Sequence, residues 1–215
     1  MRVAIEGIDG SGKTTVIEEV QRQVQEIRGE AWECIDFPDY ESPAGVHIGR
    51  ILDQHIVVDP AAMATLFATD RMTKRHQLMR PASPVTLLNR YTPSNVAYQA
   101  AVLENEYDRI KLAQYITKLE YHVFQLPPPD LVIYLRIPVE TALKNVAKKA
   151  RRIYTDRAFD LHENADRLTA VAEVYEQMEI YHPFGTYIKL DTVVNGALLD
   201  VTSIARQVVT CIENN

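Results

Sequence analysis

At 215 residues, with 47% hydrophobic and 24% charged side chains, the chain suits one folded globular domain and excludes a disordered polypeptide. A formal net charge of -6 excludes a nucleic-acid polymer as the main partner, because binding one would need a local basic patch on an acidic protein. Two cysteines, Cys34 and Cys211, exclude a disulfide framework and read as free thiols in a reducing compartment.

Short apolar strands alternate with longer helices along the chain, the signature of a parallel sheet covered on both faces. Val3–Glu6 is the first expected strand. A helix over Thr14–Ile27 follows, with Val16, Ile17, Val20, Val24 and Ile27 along one face. Trp32–Phe37 reads as the second strand, stopped by Pro38, and Pro60 opens a helix running to about Met79. Val85–Asn89 is a third strand, followed by helices over Asn95–Glu104 and Tyr107–Gln125, the latter ended by three prolines. Leu131–Arg136 is a buried fourth strand, with helices expected over Val139–Lys149 and around Asp166–Ile180. Tyr187–Leu190 is the fifth strand, and Leu199–Ile212 a closing helix. The architecture expected is α/β: a five-stranded parallel sheet with helices on both faces, in the P-loop NTPase manner. No apolar run approaches the 18 residues of a membrane span, and Met1–Glu6 lacks the pattern of a secretion leader, so a cytoplasmic protein is expected.

The chemistry begins at Gly7-Ile8-Asp9-Gly10-Ser11-Gly12-Lys13-Thr14, which satisfies G-x-x-x-x-G-K-[ST]. Glycines let such a loop curl until its backbone N–H groups converge on phosphate oxygens, and the following helix offers its positive N-terminus to the same anion. Gly7, Asp9, Gly10, Ser11, Gly12, Lys13, Thr14 and Thr15 are therefore the expected ATP contacts. Lys13 reaches the β- and γ-phosphates, and the Thr14 hydroxyl is the expected ligand of a magnesium ion carried with ATP. The motif sits directly after a strand and opens an amphipathic helix, as this chemistry requires.

The loop fixes the phosphate donor but not the acceptor. Further segments follow in order: Phe37-Pro38, Leu66-Phe67-Ala68 with Asp70-Arg71, Arg90-Tyr91 with Ser94-Asn95 and Ala97-Tyr98-Gln99, then Pro129-Asp130-Leu131. Together with the loop they resemble the thymidylate kinase family over residues 3 to about 180. Phe67 and Arg71 lie four apart on one helix face, where a ring can stack on a nucleobase beside a guanidinium that holds the monophosphate. Arg90 falls just past a strand end, the edge at which open parallel sheets bind ligands, and its planar fork suits a phosphate dianion. The resemblance implies that Asn95 reads a pyrimidine edge and that Tyr98 excludes a 2′-hydroxyl. It also places Phe37, Tyr40, Ser94 and Asp9 in the acceptor site, with Asp9 near the sugar, the transferred phosphate or the metal. It further implies a homodimer, with the helices from Ala44 to about Met79 as candidates for its interface.

Lys148-Lys149-Ala150-Arg151-Arg152, with Arg157, is the densest positive cluster of the chain. The loop positions Ile8 to Ser11 contain no arginine, so charge on the γ-phosphate has to be met from elsewhere. A lid over about residues 147–160, with Arg151 or Arg152 as catalytic arginine beside Lys13, Asp9 and Arg90, is the expectation, matching a subgroup of the family. Two positions depart from the family pattern. Asn89 stands where an aspartate usually precedes Arg-Tyr, and Asp39 where an arginine usually follows Phe-Pro. Both leave room for dUMP as acceptor alongside dTMP, since one methyl group in an apolar pocket discriminates by only about 1–3 kcal/mol. A deoxynucleoside kinase, or a catalytically weak nucleotide-binding regulatory protein, are the alternatives.

Overall fold

Val3, Ala4 and Ile5 are wholly buried, because the first strand, β1 (Arg2–Glu6), lies in the middle of a parallel sheet. The computed structural model describes residues 1–153, 161–181 and 185–215, leaving the side chains of 149–153 and 161–164 outside the description. The sheet runs β2-β3-β1-β4-β5, with β2 (Glu33–Asp36), β3 (Thr86–Asn89), β4 (Leu131–Arg136) and β5 (Thr186–Asp191), and every pairing is parallel. This is the five-stranded α/β architecture expected from the sequence. Strand β4 is buried over its first five residues, which explains its unbroken apolar run.

Each face of the sheet has its own core. On one side α1 (Lys13–Arg28) and α10 (Val201–Glu213) cover Val3, Ile5, Leu131 and Ile133 with Val16, Ile17, Val20, Ile204 and Val208. On the other, α3 (Pro60–Thr73), α5 (Thr92–Ala100), α6 (Glu106–Thr117) and α8 (Leu161–Glu176) close over Ala4, Leu88, Val132 and Tyr134. Full burial of one such aliphatic side chain contributes about 1.5–3 kcal/mol, so removing either layer would unfold the domain.

The remaining elements are α2 (Pro43–Asp53), α4 (Arg75–Met79), α7 (Val139–Ile153), α9 (Met178–Tyr181) and a small hairpin of β6 (Val193–Val194) and β7 (Ala197–Leu198). Three helix readings need correction. The helix expected from Pro60 to Met79 breaks at Lys74 into α3 and α4. The one expected to reach Gln125 widens at Thr117 into a π-helical turn over Lys118–Val123. The helix expected over Asn95–Glu104 begins and ends earlier, with Pro93 in its first turn, where a missing N–H costs nothing. Among the described residues no helix is long and apolar enough to cross a membrane.

Candidate active site

The phosphate loop joins the buried end of β1 to the start of α1. Gly10 and Gly12 hold φ of 83° and 86°, left-handed values that a residue with a side chain adopts only at a cost. Gly12 is the N-cap of α1 and brings no side chain to cap it, so the first-turn N–H groups stay open to an anion. The buried Lys13 folds back over the loop, its Nζ donating to the carbonyls of Gly7 and Ile8, both at 3.0 Å. Ser11 is buried beneath it, while Thr14 and Thr15 are exposed at the start of the helix. Helix α7 roofs the loop: Asn145 donates to the Gly10 carbonyl at 2.9 Å, and a Cβ at Gly10 would stand 2.2 Å from the Ala142 carbonyl oxygen.

Beside the loop, Arg90 ties Gly7 and Asp9 to Ser94 and Tyr98 of α5. It sits one residue past β3 with φ 68°. One guanidinium nitrogen donates to the Gly7 carbonyl and to Ser94 Oγ, both at 3.1 Å. The other donates to Asp9 Oδ1 at 2.5 Å and to the Tyr98 hydroxyl at 3.2 Å. Desolvation works against ionisation of Asp9, but Arg90 and Lys13 outweigh it and hold the carboxyl below the usual aspartate range. Beneath them Glu6 is wholly buried and accepts from the Tyr91 N–H at 2.7 Å, Ser94 Oγ at 2.5 Å and the Tyr175 hydroxyl at 2.9 Å. Burial pushes its carboxyl above the ordinary glutamate range, although these donors and Arg90 pull the other way.

The residues expected on the acceptor side gather on α3 and α5. Phe67 is half-buried on α3. Arg71, expected beside the monophosphate, is 2% exposed and held by Glu120 through two bonds of 2.6 and 2.7 Å. Glu120, wholly buried in the π-helical turn, also accepts from Thr92 Oγ1 at 2.7 Å and Asn95 Nδ2 at 2.9 Å. A second bond from Asn95 Nδ2, to the Ala64 carbonyl at 3.0 Å, fixes the amide orientation. That leaves the buried Asn95 Oδ1 without a hydrogen-bond partner among the described residues. Phe37, expected as an acceptor contact, lies in the core with its ring tilted against Tyr91 at 5.9 Å. Ser94 is likewise committed to Glu6, Tyr175 and Arg90.

Tyr40 is exposed on the loop between β2 and α2. The loop is anchored by the buried Asp70, which accepts from the Asp39 N–H at 2.9 Å and from Ser42 Oγ at 2.5 Å. Asp39 itself turns to Lys74 at 2.7 Å, so its negative charge is neutralised locally. At the strand ends Asn89 Nδ2 lies 3.4 Å from Thr14 Oγ1 and donates to Asp36 Oδ1 at 2.6 Å. Asp9, the other expected metal contact, has its carboxylate engaged by Arg90. The side chains of Arg151 and Arg152, and most of the expected lid from 147 to 160, lie outside the described residues, although α7 carries the backbone to Ile153.

Sequence reasoning missed Glu120 and Asp36, and quoted Asp70 beside Arg71 without finding its role. Glu120 gave no signal, because an acid in a long helical pattern reads as solvated surface. Ser42 and Asp70 likewise gave no local sign that they meet.

The thymidylate kinase family model matches residues 5–185. A probable thymidylate kinase of Caldivirga maquilingensis is 31% identical over 208 residues, covering 94% of this chain and 91% of the relative. The thymidylate kinase of Mycobacterium tuberculosis is 31% identical, with 83% and 85% covered. A probable thymidylate kinase of Pyrobaculum calidifontis is also 31% identical, with 81% and 80% covered. With a phosphate loop, a bridging arginine and the acceptor-side segments arranged on one sheet edge, the chain belongs to the thymidylate kinase family.

Proposed function

We propose that this chain transfers the γ-phosphate of ATP to the phosphate of dTMP, giving dTDP and ADP, as a single domain with a lid at about 147–160. The observation that carries the reading is the position of Arg90, one guanidinium touching both the phosphate loop and the acceptor-side residues Asp9 and Tyr98. A cation there suits an acceptor that arrives already phosphorylated, which a nucleoside does not. The step needs no covalent enzyme intermediate, since positioning and neutralisation of phosphate charge suffice.

The base is read by the unit around Glu120. One carboxylate holds Arg71 and Asn95 together, leaving an acceptor at Asn95 Oδ1 and the remaining N–H groups of Arg71. Thymine and uracil present a matching N3–H donor beside a C4 carbonyl. Cytosine reverses both groups and would leave buried partners unsatisfied, at about 1–3 kcal/mol each. Phe67 stacks on the same base, and Tyr98, closing on Arg90, limits room at the sugar. Tyr40 reaches the acceptor from its loop.

Magnesium fits the hard oxygen donors near Thr14, and when bound it neutralises charge on the β- and γ-phosphates. Arg151 or Arg152 supplies the arginine that the phosphate loop lacks. The enzyme works as a cytoplasmic homodimer in nucleotide biosynthesis.

A turnover panel of the common nucleoside monophosphates with ATP and magnesium tests the reading. Phosphorylation of dTMP, and more weakly of dUMP, with dCMP refused, is the expected result, and Asn95→Ala should narrow the gap between dTMP and dCMP. Turnover of a purine monophosphate with neither dTMP nor dUMP accepted would refute it.

A further inference from the structure

A metal carried with ATP in a phosphate-loop site is held on one side by the hydroxyl that follows the loop lysine and on the other by a carboxylate at a neighbouring strand end. In this chain the strand beside β1 ends in Asn89, which has an oxygen but no charge. A carboxylate stands one strand further out. Asp36 closes β2 in register with Asn89, and the amide of Asn89 spans the gap, donating to Asp36 at 2.6 Å while lying 3.4 Å from Thr14 Oγ1.

We propose that Asp36 is the anionic anchor of the ATP-bound metal, acting across Asn89. The inference rests on the ATP reading given above. Charge supports it first. Asp9 is neutralised by Arg90, and Glu6 is wholly buried under three donors, so neither is available. Asp36 is exposed and makes no ion pair among the described residues. Pairing supports it next. Positions 36 and 89 are neighbours across parallel strands, and two carboxylates there would repel, whereas an acid beside an amide forms a hydrogen bond. This pair of strand ends therefore holds one negative charge, and it lies on β2. The donor set agrees: Thr14 and Asp36 offer hard oxygens, and magnesium keeps several of its waters, so an anion set back from Thr14 can act through them.

The experiment uses the full chain and Mn2+ as the metal probe, with free Mn2+ followed by electron paramagnetic resonance at fixed ATP. Asp36→Asn should weaken Mn2+ binding to the ATP complex about tenfold or more, the range found when supporting carboxylates are lost. The exchange variant Asp36→Asn with Asn89→Asp should return the affinity to within about threefold of the parent, because it restores one carboxylate and one amide. Binding of a fluorescent ATP analogue in EDTA should be the same for all of these proteins. Mn2+ affinity within twofold of the parent in Asp36→Asn, no recovery in the exchange variant, or an equal loss of analogue binding in EDTA would each overturn the assignment. If the parent chain binds no ATP analogue with or without Mn2+, the ATP reading itself fails, which is a separate result.

Discussion

Arg90 carries a left-handed backbone at φ 68°, a conformation that costs a residue with a Cβ about 1–2 kcal/mol. The four contacts of its guanidinium, to Gly7, Asp9, Ser94 and Tyr98, are what hold it there. Removing the side chain and removing the strain are therefore separable. Arg90→Ala should abolish most turnover and unfold earlier than the parent, since it loses the contacts and keeps the strain. Arg90→Gly should be as inactive, yet denature later than Arg90→Ala by about 1 kcal/mol, because glycine adopts this φ freely. Urea denaturation of the two variants decides it; equal midpoints would mean that the backbone at this position stores no strain. Acid titration bears on the same pair. Asp9 ionises below the usual aspartate range, so its attraction to Arg90 is fully present above the ordinary carboxylate range and is lost as pH falls through its lowered folded value.

Elements were legible where a local pattern fixes them. The strands came through because buried parallel strands are unbroken apolar runs, and α1 because its apolar stripe begins at the loop lysine. The break at Lys74 and the π-helical turn were not legible, since helical periodicity continues through both, and what decides them is tertiary. In the π-helical turn the buried Glu120 meets Arg71, Thr92 and Asn95, partners 49, 28 and 25 residues away in the chain. The site shows the same division. The phosphate loop was readable as a motif, and Phe67, Arg71, Arg90 and Asn95 as residues sharing a face or a strand end. That Arg71 is buried and paired was not readable, because its carboxylate lies on another element. Helix α2 depends on such a distant fit too. Its Gly45 sits so close to the loop that a Cβ would stand 1.8 Å from the Asp39 carbonyl oxygen. Gly45→Ala must displace either the helix start or the loop that bears Tyr40. We expect it to cost about 1–3 kcal/mol, in the range of overpacked sites, and to raise KM for dTMP severalfold while KM for ATP stays near the parent value. An equal rise in both constants would show that the loop does not serve the acceptor alone.

At the scale of the molecule, both cores are closed, but one flank is not. Helix α2 packs on α3 and α3 on α6, and this layer presents Val46, Leu52, Met72 and Tyr115 as exposed apolar side chains. Each alone would be unremarkable for a soluble surface. Together they sit on helices tied to the proposed acceptor site, since α3 bears Phe67 and Arg71, and α2 is anchored through Ser42 to Asp70. A second copy seated on this flank would bury the apolar side chains and brace α2 and α3 from outside, coupling assembly to the acceptor pocket while leaving the phosphate loop on α1 untouched. The parent chain should then sediment at twice its 24.4 kDa mass. Leu52→Glu combined with Met72→Glu should shift it to the single-chain mass, because charges buried without partners oppose association. The dissociated variant should keep ATP affinity near that of the parent and lose affinity for dTMP. Sedimentation velocity with ligand-binding titrations on the same samples gives both readouts. A parent chain that sediments at 24.4 kDa at tens of micromolar would remove this flank as an interface, and a dissociated variant with unchanged dTMP affinity would remove its link to the acceptor site.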